Sequence, residues 1–392
     1  MTTSHPGGRE GSSKSDDGDE TLSVATAHIP SPGEAWQLLL RQSAEAGTMM
    51  IVDTHGHPQL EREADASSGG AHRVPLHAPP DGAAGSPSSF CITSIACAVS
   101  PGDWQSTLNY AADPSRRETT LPALGVHPWY IYPDLRPSYL SDLESLLLRH
   151  PRAVVGEIGL CKVAKFVRQY PADLGGKPAA LELQRTVFRD QFLLAAKHRR
   201  PVSVHCVQQH GVLIKLLKEV REGALKISRE WKKKAQTKAG GEAGDDDSNA
   251  QEAPKLTNSF PTAIALHSYT GTAHHIKELL ALEASLVTYD STCERPSDGQ
   301  DDIMTPIFYF GFSYAVNVEM CSSEKSRTQN INAIRAVPKN RLLAESDVHS
   351  PADVETGTAG AIAYLSVATG MSLVEVADTT SSNSLKFLSS VV

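Results

Sequence analysis

Residues 51–57 read IVDTHGH, an apolar run that ends in two histidines. The same pattern recurs along the chain, where short apolar runs lead into a His, Glu or Asp at VVGEIGL (154–160), PVSVHC (201–206), IALHSYTG (264–271) and LLAESD (342–347). The carboxyl ends of parallel strands meet at one mouth of a closed α/β barrel, and such barrels carry their chemistry there. These stretches therefore predict a (β/α)8 barrel with metal-binding side chains at its mouth.

The remaining sequence supplies the strands and helices that such a barrel needs. Apolar, strand-like runs lie at 49–55, 90–99, 120–126, 153–158, 201–205, 262–267, 308–316 and 341–346. Apolar residues recur at helical spacing in 34–46, 138–149, 181–198, 211–221, 361–368 and 373–389. Strands that alternate with helices are typical of a parallel sheet, which here is predicted to close into a TIM barrel.

Polar segments precede and interrupt the barrel pattern. Residues 1–30 are rich in Gly, Ser, Asp and Pro, so residues 1–47 are predicted to form a disordered tail and a short helix, and 48–392 the barrel. Polar stretches are predicted as surface insertions at about 62–88, 228–258 and 290–304. The middle one has a basic run followed by an acidic run. This pattern favours a solvated, flexible loop over a loop that binds a protein partner.

Composition limits the classes of function. The net charge of −8 excludes a global basic surface for nucleic acid, although bound cations can reverse the local field around a phosphate. The six cysteines lie far apart without a CxxC pair, which fits free thiols in a reducing compartment. No stretch approaches the roughly 20 apolar residues of a membrane span, and the N-terminus lacks a signal-peptide pattern. We therefore expect a cytoplasmic or nuclear protein that is neither secreted nor membrane-bound.

The first histidine pair is a weak signal on its own. On an extended strand Asp53, His55 and His57 point the same way, so two imidazoles at a strand end can bind one cation. Chance HxH pairs are nevertheless common in a chain with 15 histidines, and a polar strand end is the simpler interpretation of this motif alone.

The later motifs add a carboxylate, two single histidines and an aspartate. Glu157 directly follows buried-type residues, and a carboxylate there is costly to bury unless it is paired or bound to a metal. His205 and His267 each end an apolar run, where a lone histidine is more often part of a core than a ligand. Asp347 could bind a metal and also accept a proton from bound water.

Taken in order, these motifs resemble those of the TatD family of metal-dependent hydrolases, across about residues 49–350. DTHGH (53–57), ALGVHPW (123–129), GEIGL (156–160), PVSVH (201–205), LHSYTG (266–271) and ESD (345–347) are each similar to a family motif. The longer patterns FGFSYAVN (310–317) and ESDVHS (345–350) look most like a fungal branch of that family.

The resemblance implies a site with two divalent metal ions, for which Zn, Mn and Mg are all candidates. It implies that the first ion is held by His55, His57, Glu157 and Asp347, and the second by Glu157, His205 and His267. Asp347, Glu157 and His127 are the implied catalytic residues. His127 would contact the substrate or handle a proton without being a primary ligand. The implied reaction is hydrolysis of a phosphodiester, with DNA as a candidate substrate.

The chain departs from the family pattern at three positions. Gln59 stands where the family usually has Asp, Cys161 replaces the Asp of GEIGLD, and Val207 replaces a frequent basic residue. The first change is expected to weaken the first metal or to reorient its histidines, and the last removes one phosphate contact.

Two other readings of the sequence stay open. A small-molecule amidohydrolase is disfavoured, because Glu157 takes the place of the carboxylated Lys that often bridges the metals in those enzymes. A degenerate barrel that serves as a protein-interaction scaffold through its long insertions is the third alternative.

Overall fold

The eight predicted strands are all present, and they form one parallel sheet in the order of the sequence. The computed structural model describes residues 28–46, 49–61, 90–132, 135–239, 254–292 and 306–392. The strands are β1 (Met49–Gly56), β2 (Phe90–Cys97), β3 (Thr120–Leu124), β4 (Val154–Cys161), β5 (Val202–Val207), β6 (Ile264–Leu266), β7 (Phe308–Ser313) and β8 (Leu342–Glu345). The prediction of a (β/α)8 barrel is confirmed.

Helices follow the strands and form the outer layer. They are α1 (Pro32–Ala46), α2 (Trp104–Ala112), α3 (Tyr139–Arg149), α4 (Lys165–Gln169), α5 (Gly176–Lys197), α6 (His210–Ala239), α7 (Ala273–Ser291), α8 (Glu324–Ala336), α9 (Val354–Thr369) and α10 (Leu373–Phe387). The sequence pattern did not predict α2, α4, α7 and α8. Among the described residues no single helix is long and apolar enough to cross a membrane. Only a pair across a 110° bend, Pro351–Thr369 with Leu373–Phe387, reaches that length.

Hydrogen bonds between the first and last strands bring the sheet close to full closure. The Oγ1 of Thr54 donates to the carbonyl oxygen of Ala344 at 3.1 Å. Beyond the end of β8, the amide of Asp347 donates to the carbonyl of His55 at 2.9 Å, and the amide of His57 donates to that of Val348 at 2.8 Å. The residues after β8 are thereby held against the end of β1, where the histidine pair lies.

The end of the barrel opposite the mouth is filled by the chain terminus. Phe387, Leu388 and Val391 belong to the same buried cluster as residues inside the barrel such as Leu121 and Tyr309. The Oγ of Ser390 lies 2.8 Å from the Oγ1 of Thr262, which precedes β6. Because the amino ends of the strands are covered in this way, the carboxyl ends remain as the place for polar chemistry.

Part of the predicted insertion at 228–258 is helical rather than a flexible loop. α6 continues to Ala239, since residues 226–239 are mostly good helix formers and Ser228 is buried with its Oγ 3.2 Å from the hydroxyl of Tyr289 on α7. The carboxylate of Asp290 accepts bonds from the amides of Leu256 and Thr257 at 2.6 and 3.0 Å. The insertion is therefore anchored at both ends, and its residues 240–253 lie outside the described residues.

The other predicted polar segments lie largely or wholly outside the residues that the structure describes. This applies to residues 1–27 of the tail, to 62–88, and to 293–304 of the third insertion, whose first residues end α7. The short helix predicted at 34–46 corresponds to α1, and its Ala35 and Leu39 are completely buried. A Cβ on Gly360 of α9 would come within 3.1 Å of Pro32, so α1 packs closely on the outer layer of the barrel.

Candidate metal centre

The structure brings together all six side chains that the sequence predicts as metal ligands. His55 and His57 lie at the carboxyl end of β1, Glu157 and His205 lie within β4 and β5, and His267 and Asp347 follow the ends of β6 and β8. Four of them are almost completely buried, and only His205 and Asp347 keep partial access to solvent.

Glu157 is the centre of this cluster, because each of its carboxylate oxygens faces histidine nitrogens. Oε2 lies 3.4 Å from Nε2 of His55 and 3.3 Å from Nε2 of His57. Oε1 lies 3.2 Å from Nε2 of His127, 2.9 Å from Nδ1 of His205 and 2.6 Å from Nε2 of His267. One buried carboxylate therefore joins five histidines from four different strands or strand ends, as a ligand shared between two cations would.

The charges of the cluster stabilise one another. Burial works to raise the pKa of Glu157, but the neighbouring His127, His267 and His55 hold it well below its ordinary value. Burial works to lower the pKa of His267, but Glu157, Glu345 and Asp347 hold it well above its ordinary value. Without cations, a proton on His267 would partly balance the buried carboxylates.

The first histidine pair is oriented through its outward nitrogens. Nδ1 of His57 lies 2.7 Å from the carbonyl oxygen of Cys97, which can only accept, so this nitrogen carries the proton and Nε2 keeps its lone pair. Nδ1 of His55 lies 2.8 Å from the Oγ of Ser203. The two Nε2 atoms then face each other at 3.3 Å. Nε2 of His57 offers a lone pair, and Nε2 of His55 offers one when its Nδ1 donates to Ser203, so the donor set fits a metal ion.

In the part of the chain that the structure describes, three groups of side chains have donor atoms close enough to share an ion, with the donor atoms of each group within 4.8 Å of one another. They are His55 with His57 and Asp347, His55 with Glu157 and His267, and His127 with Glu157 and His205. The first group matches one predicted ligand set except for Glu157. The last includes His127, for which no ligand role was predicted.

Backbone contacts favour a hydrogen-bonding role for His127 over a ligand role. Its Nδ1 accepts a bond from the amide of Trp129 at 3.1 Å, so in the neutral ring Nε2 carries the proton. Burial lowers the pKa of His127 to about 4, against the pull of Glu157, so the ring is neutral at pH 7. A protonated Nε2 can donate to Glu157 or to a bound substrate, and it cannot bind a cation at the same time.

Asp347 is held in an unusual backbone conformation beside the histidines. Its φ of 55° lies in the left-handed region, which costs a non-glycine residue of order 1–3 kcal/mol and is found most often at functional sites. Oδ2 accepts from the Oγ of Ser268 at 2.9 Å, and Oδ1 lies 3.9 Å from Nε2 of His57. Burial works to raise the pKa of Asp347, but His267, His55 and His57 lower it, so the carboxylate is ionised.

Asp53 does not join the histidines, contrary to the expectation that it would point the same way. Its carboxylate accepts from the amide and the Oγ of Ser346 at 2.8 and 2.7 Å. The pairing of β1 with β2 shifts register between Asp53 and Gly56, and such an irregularity breaks the alternation of side chains along a strand. Asp53 therefore ties β1 to the end of β8, and burial raises its pKa to about 7.

Sequence reasoning missed the residues that surround the predicted ligands. Glu345 is completely buried, and its Oε1 lies 3.6 Å from Nδ1 of His267 and accepts a bond from the amide of Ser268. A Cβ at position 311 would overlap Glu345, so Gly311 makes room for that carboxylate. The ESD and FGFSYAVN patterns contained both residues, but neither pattern shows that the two side chains meet.

Two of the departures from the family pattern have local structural partners. Nε2 of Gln59 donates to the carbonyl of Cys97 at 2.8 Å, the same oxygen that orients His57. The sulfur of Cys161 accepts from Nε1 of Trp129 at 3.1 Å. Burial works to raise the pKa of this thiol, but hydrogen bonds with His205 and Trp129 lower it below its ordinary value. Gln59 thus supports the orientation of the first histidine pair.

The chain is similar in sequence or fold to several known proteins. The sequence profile of a family described as TatD related DNase matches residues 52–389. The Cut9-interacting protein scn1 of Schizosaccharomyces pombe is 27% identical over 316 residues, which are 68% of this chain and 83% of that protein. The crystal structure of YjjV, a TatD homologue from Escherichia coli K12, is similar with a TM-score of 0.53 at 17% identity, and the match covers 86% of this chain and 97% of that one. An uncharacterized amidohydrolase from Saccharomyces cerevisiae matches at 15% identity with a TM-score of 0.48 over 76% of this chain and 88% of that one.

Proposed function

The chain belongs to the family of TatD-related DNases, and from this premise we propose that it is a divalent-metal-dependent phosphodiesterase. The observation that carries the proposal is the position of Glu157, whose two oxygens face the histidine pair of β1 on one side and His205 and His267 on the other. A carboxylate shared in this way suits two divalent cations, of which Zn, Mn and Mg are the candidates.

The residues of the site have distinct roles in the proposed reaction. Bound divalent cations would lower the pKa of a water molecule and neutralise charge on the phosphoryl group. Asp347, ionised and held by Ser268 through its Oδ2, accepts the proton of the attacking water. His127 donates a hydrogen bond from Nε2 to the phosphoryl group or to the leaving oxygen, because its Nδ1 is occupied by the amide of Trp129.

DNA is the substrate that we propose. The support is the description of the family, together with a site that would carry the charge of a phosphodiester on cations rather than on arginines and lysines. A net charge of −8 on the whole chain is compatible with this arrangement, because bound cations reverse the local field at the mouth.

Metal content and activity, measured on the same samples, test the proposal. The purified protein is stripped with a chelator and reconstituted with Zn²⁺, Mn²⁺ or Mg²⁺. We expect two bound ions per chain and cleavage of a DNA oligonucleotide and of a simple phosphodiester that depends on the ion. Protein that binds two ions but cleaves neither substrate would favour the small-molecule amidohydrolase. Protein that binds no ion would favour the scaffold.

A protein partner and a location in the cytoplasm or nucleus complete the proposal. The relative scn1 carries the name of a Cut9-interacting protein, which supports a protein-binding role for this chain beside hydrolysis. The described part of the middle insertion offers two exposed lysines, Lys233 and Lys234, on which an acidic protein surface could dock, whereas Lys232 lies over the ring of Tyr289 at 4.9 Å. Co-purification from cells with the intact chain, compared with a variant that has Lys233 and Lys234 replaced by Ala, tests the contact.

A further inference from the structure

Three aromatic side chains are exposed beside the candidate metal centre. Trp129, Tyr130 and Tyr132 are 50, 40 and 47% exposed, and together we call them the aromatic patch. They follow His127 in the segment after β3, so they stand at the mouth of the barrel. The ring of Trp129 lies 5.5 Å from that of His127 and 6.3 Å from that of His205, measured between centroids.

The patch is held in place by the barrel, although each of its side chains is 40–50% exposed. Ile131, in the middle of the segment, is completely buried and anchors it. The indole of Trp129 donates from Nε1 to the sulfur of Cys161 at 3.1 Å, and its own amide bonds to His127. The ring of Tyr132 packs against that of Phe166 on α4 at 6.2 Å. Because the segment is already ordered, a ligand that stacks on it would lose little affinity to ordering the protein.

Barrel stability does not explain why these rings are exposed. An exposed tryptophan contributes less apolar burial than a buried one, and contiguous exposed apolar surface on a folded domain commonly marks a binding site. The patch adjoins the two histidines, His127 and His205, that contact Glu157 from the side of β3 and β5. A ligand with a phosphate at the centre would therefore place its neighbouring group over Trp129.

We infer that the aromatic patch is a stacking subsite for the nucleobase next to the scissile phosphate. This inference rests on the proposed function and adds to it the residues that bind the base beside the scissile phosphate. A base fits because it is planar, stacks on an indole face, and is joined to the phosphate by a single sugar. Stacking tolerates every base, so the patch supplies affinity with little sequence preference.

Calorimetric titration of the metal-loaded protein with two small ligands tests the subsite without requiring cleavage. The ligands are thymidine 5′-monophosphate and 2-deoxyribose 5-phosphate, which share the sugar phosphate and differ by the base. We expect the nucleotide to bind about ten-fold more tightly or better. Trp129→Leu, which keeps the apolar bulk but loses the planar face, should abolish that preference. Trp129→Phe should keep much of it.

The control and the contradicting outcomes separate the two proposals. Leu148→Ala removes a side chain that is 66% exposed on α3, away from the patch, and should leave both affinities unchanged. Equal binding of the two ligands by the wild type, or an unchanged preference in Trp129→Leu, would overturn the stacking subsite and leave the phosphodiesterase standing. Failure of both ligands to bind the metal-loaded protein would count against the phosphate centre, and with it the subsite.

Discussion

The Oγ atom of Ser203, on β5, lies 2.8 Å from Nδ1 of His55, on β1, so a hydrogen bond crosses the inside of the barrel. Three strands separate β1 from β5 in the order of the sheet, so the two strands do not pair with each other. The bond fixes the ring of His55 from behind, while its Nε2 faces His57 and Glu157. The hydroxyl of Ser203 therefore orients a predicted metal ligand, His55, that comes from the opposite wall of the barrel.

Ser203→Ala should weaken metal binding while the barrel stays folded. Loss of a contact that orients a metal-binding histidine typically costs about 10–100-fold in metal affinity. Affinity is measured by competition with a chelator of known strength. As a control, Ser381→Ala removes a bond from the Oγ of Ser381 to the carbonyl of Met50 near the other end of the strand and should leave metal affinity unchanged. An unchanged affinity in Ser203→Ala would show that packing and the Sγ of Cys97, which lies 3.3 Å from the same nitrogen, suffice to orient His55.

Glu157→Ala should lose metal and activity together. Among the described residues, Glu157 is the only one whose side-chain oxygens contact histidines on both sides of the cluster, so both predicted ions lose a ligand. Metal content per chain, measured after gel filtration, should fall toward zero, and metal-dependent cleavage should fall with it. Full retention of two ions by this variant would contradict the shared-ligand assignment.

Asp347→Asn should separate metal binding from chemistry. The amide keeps the shape and one oxygen but cannot accept the proton of water, so cleavage should fall by a factor on the order of 10² or more. The fold and much of the bound metal should remain. Activity and metal content are compared on one preparation. Wild-type activity in this variant would mean that another residue is the general base.

Removal of the metal should lower thermal stability, because ions that bind only the folded chain stabilise it. At free metal about 100-fold above its Kd, one site adds about 2.7 kcal/mol to the free energy of unfolding. Calorimetry with and without a chelator measures the difference in Tm. In Glu157→Ala the chelator should have no further effect. An equal shift in that variant would mean that the ion binds elsewhere.

Glu283→Ala should reduce stability and leave the metal centre intact. Glu283 forms a bidentate pair with Arg341 at 2.8 and 2.6 Å and accepts from the amides of Ile307 and Phe308, at the start of β7. Removing one partner of such a buried pair typically costs about 3–5 kcal/mol, since the other charge is left unpaired. Denaturant unfolding measures the loss. Metal content should equal that of the wild type, which makes this variant a control for Glu157→Ala.

The fold and the side-chain types of the candidate site followed from the sequence because both depend on local patterns. An apolar run that ends in a His, Glu or Asp, repeated along one chain, specifies strands whose polar ends must share an environment. Burial of a carboxylate such as Glu157 also requires partners, whatever they are. The prediction failed where a local pattern was ambiguous, as at residues 228–239, whose charges indicated a loop but whose helix formers continue α6.

Only the tertiary structure decided how the site is assembled. The chain separates His55 from Ser203, His267 from Glu345, and Asp53 from Ser346 by 78 residues or more, and no periodicity states which of them meet. Strand register decides which of these side chains meet. The register shift in β1 after Asp53 turns the carboxylate of Asp53 away from His55 and His57, which follow it closely in the sequence. The sequence determines the types of the side chains. Which nitrogen of a histidine is free to bind an ion depends on the hydrogen-bond partner of the other nitrogen, and only folding brings those partners together.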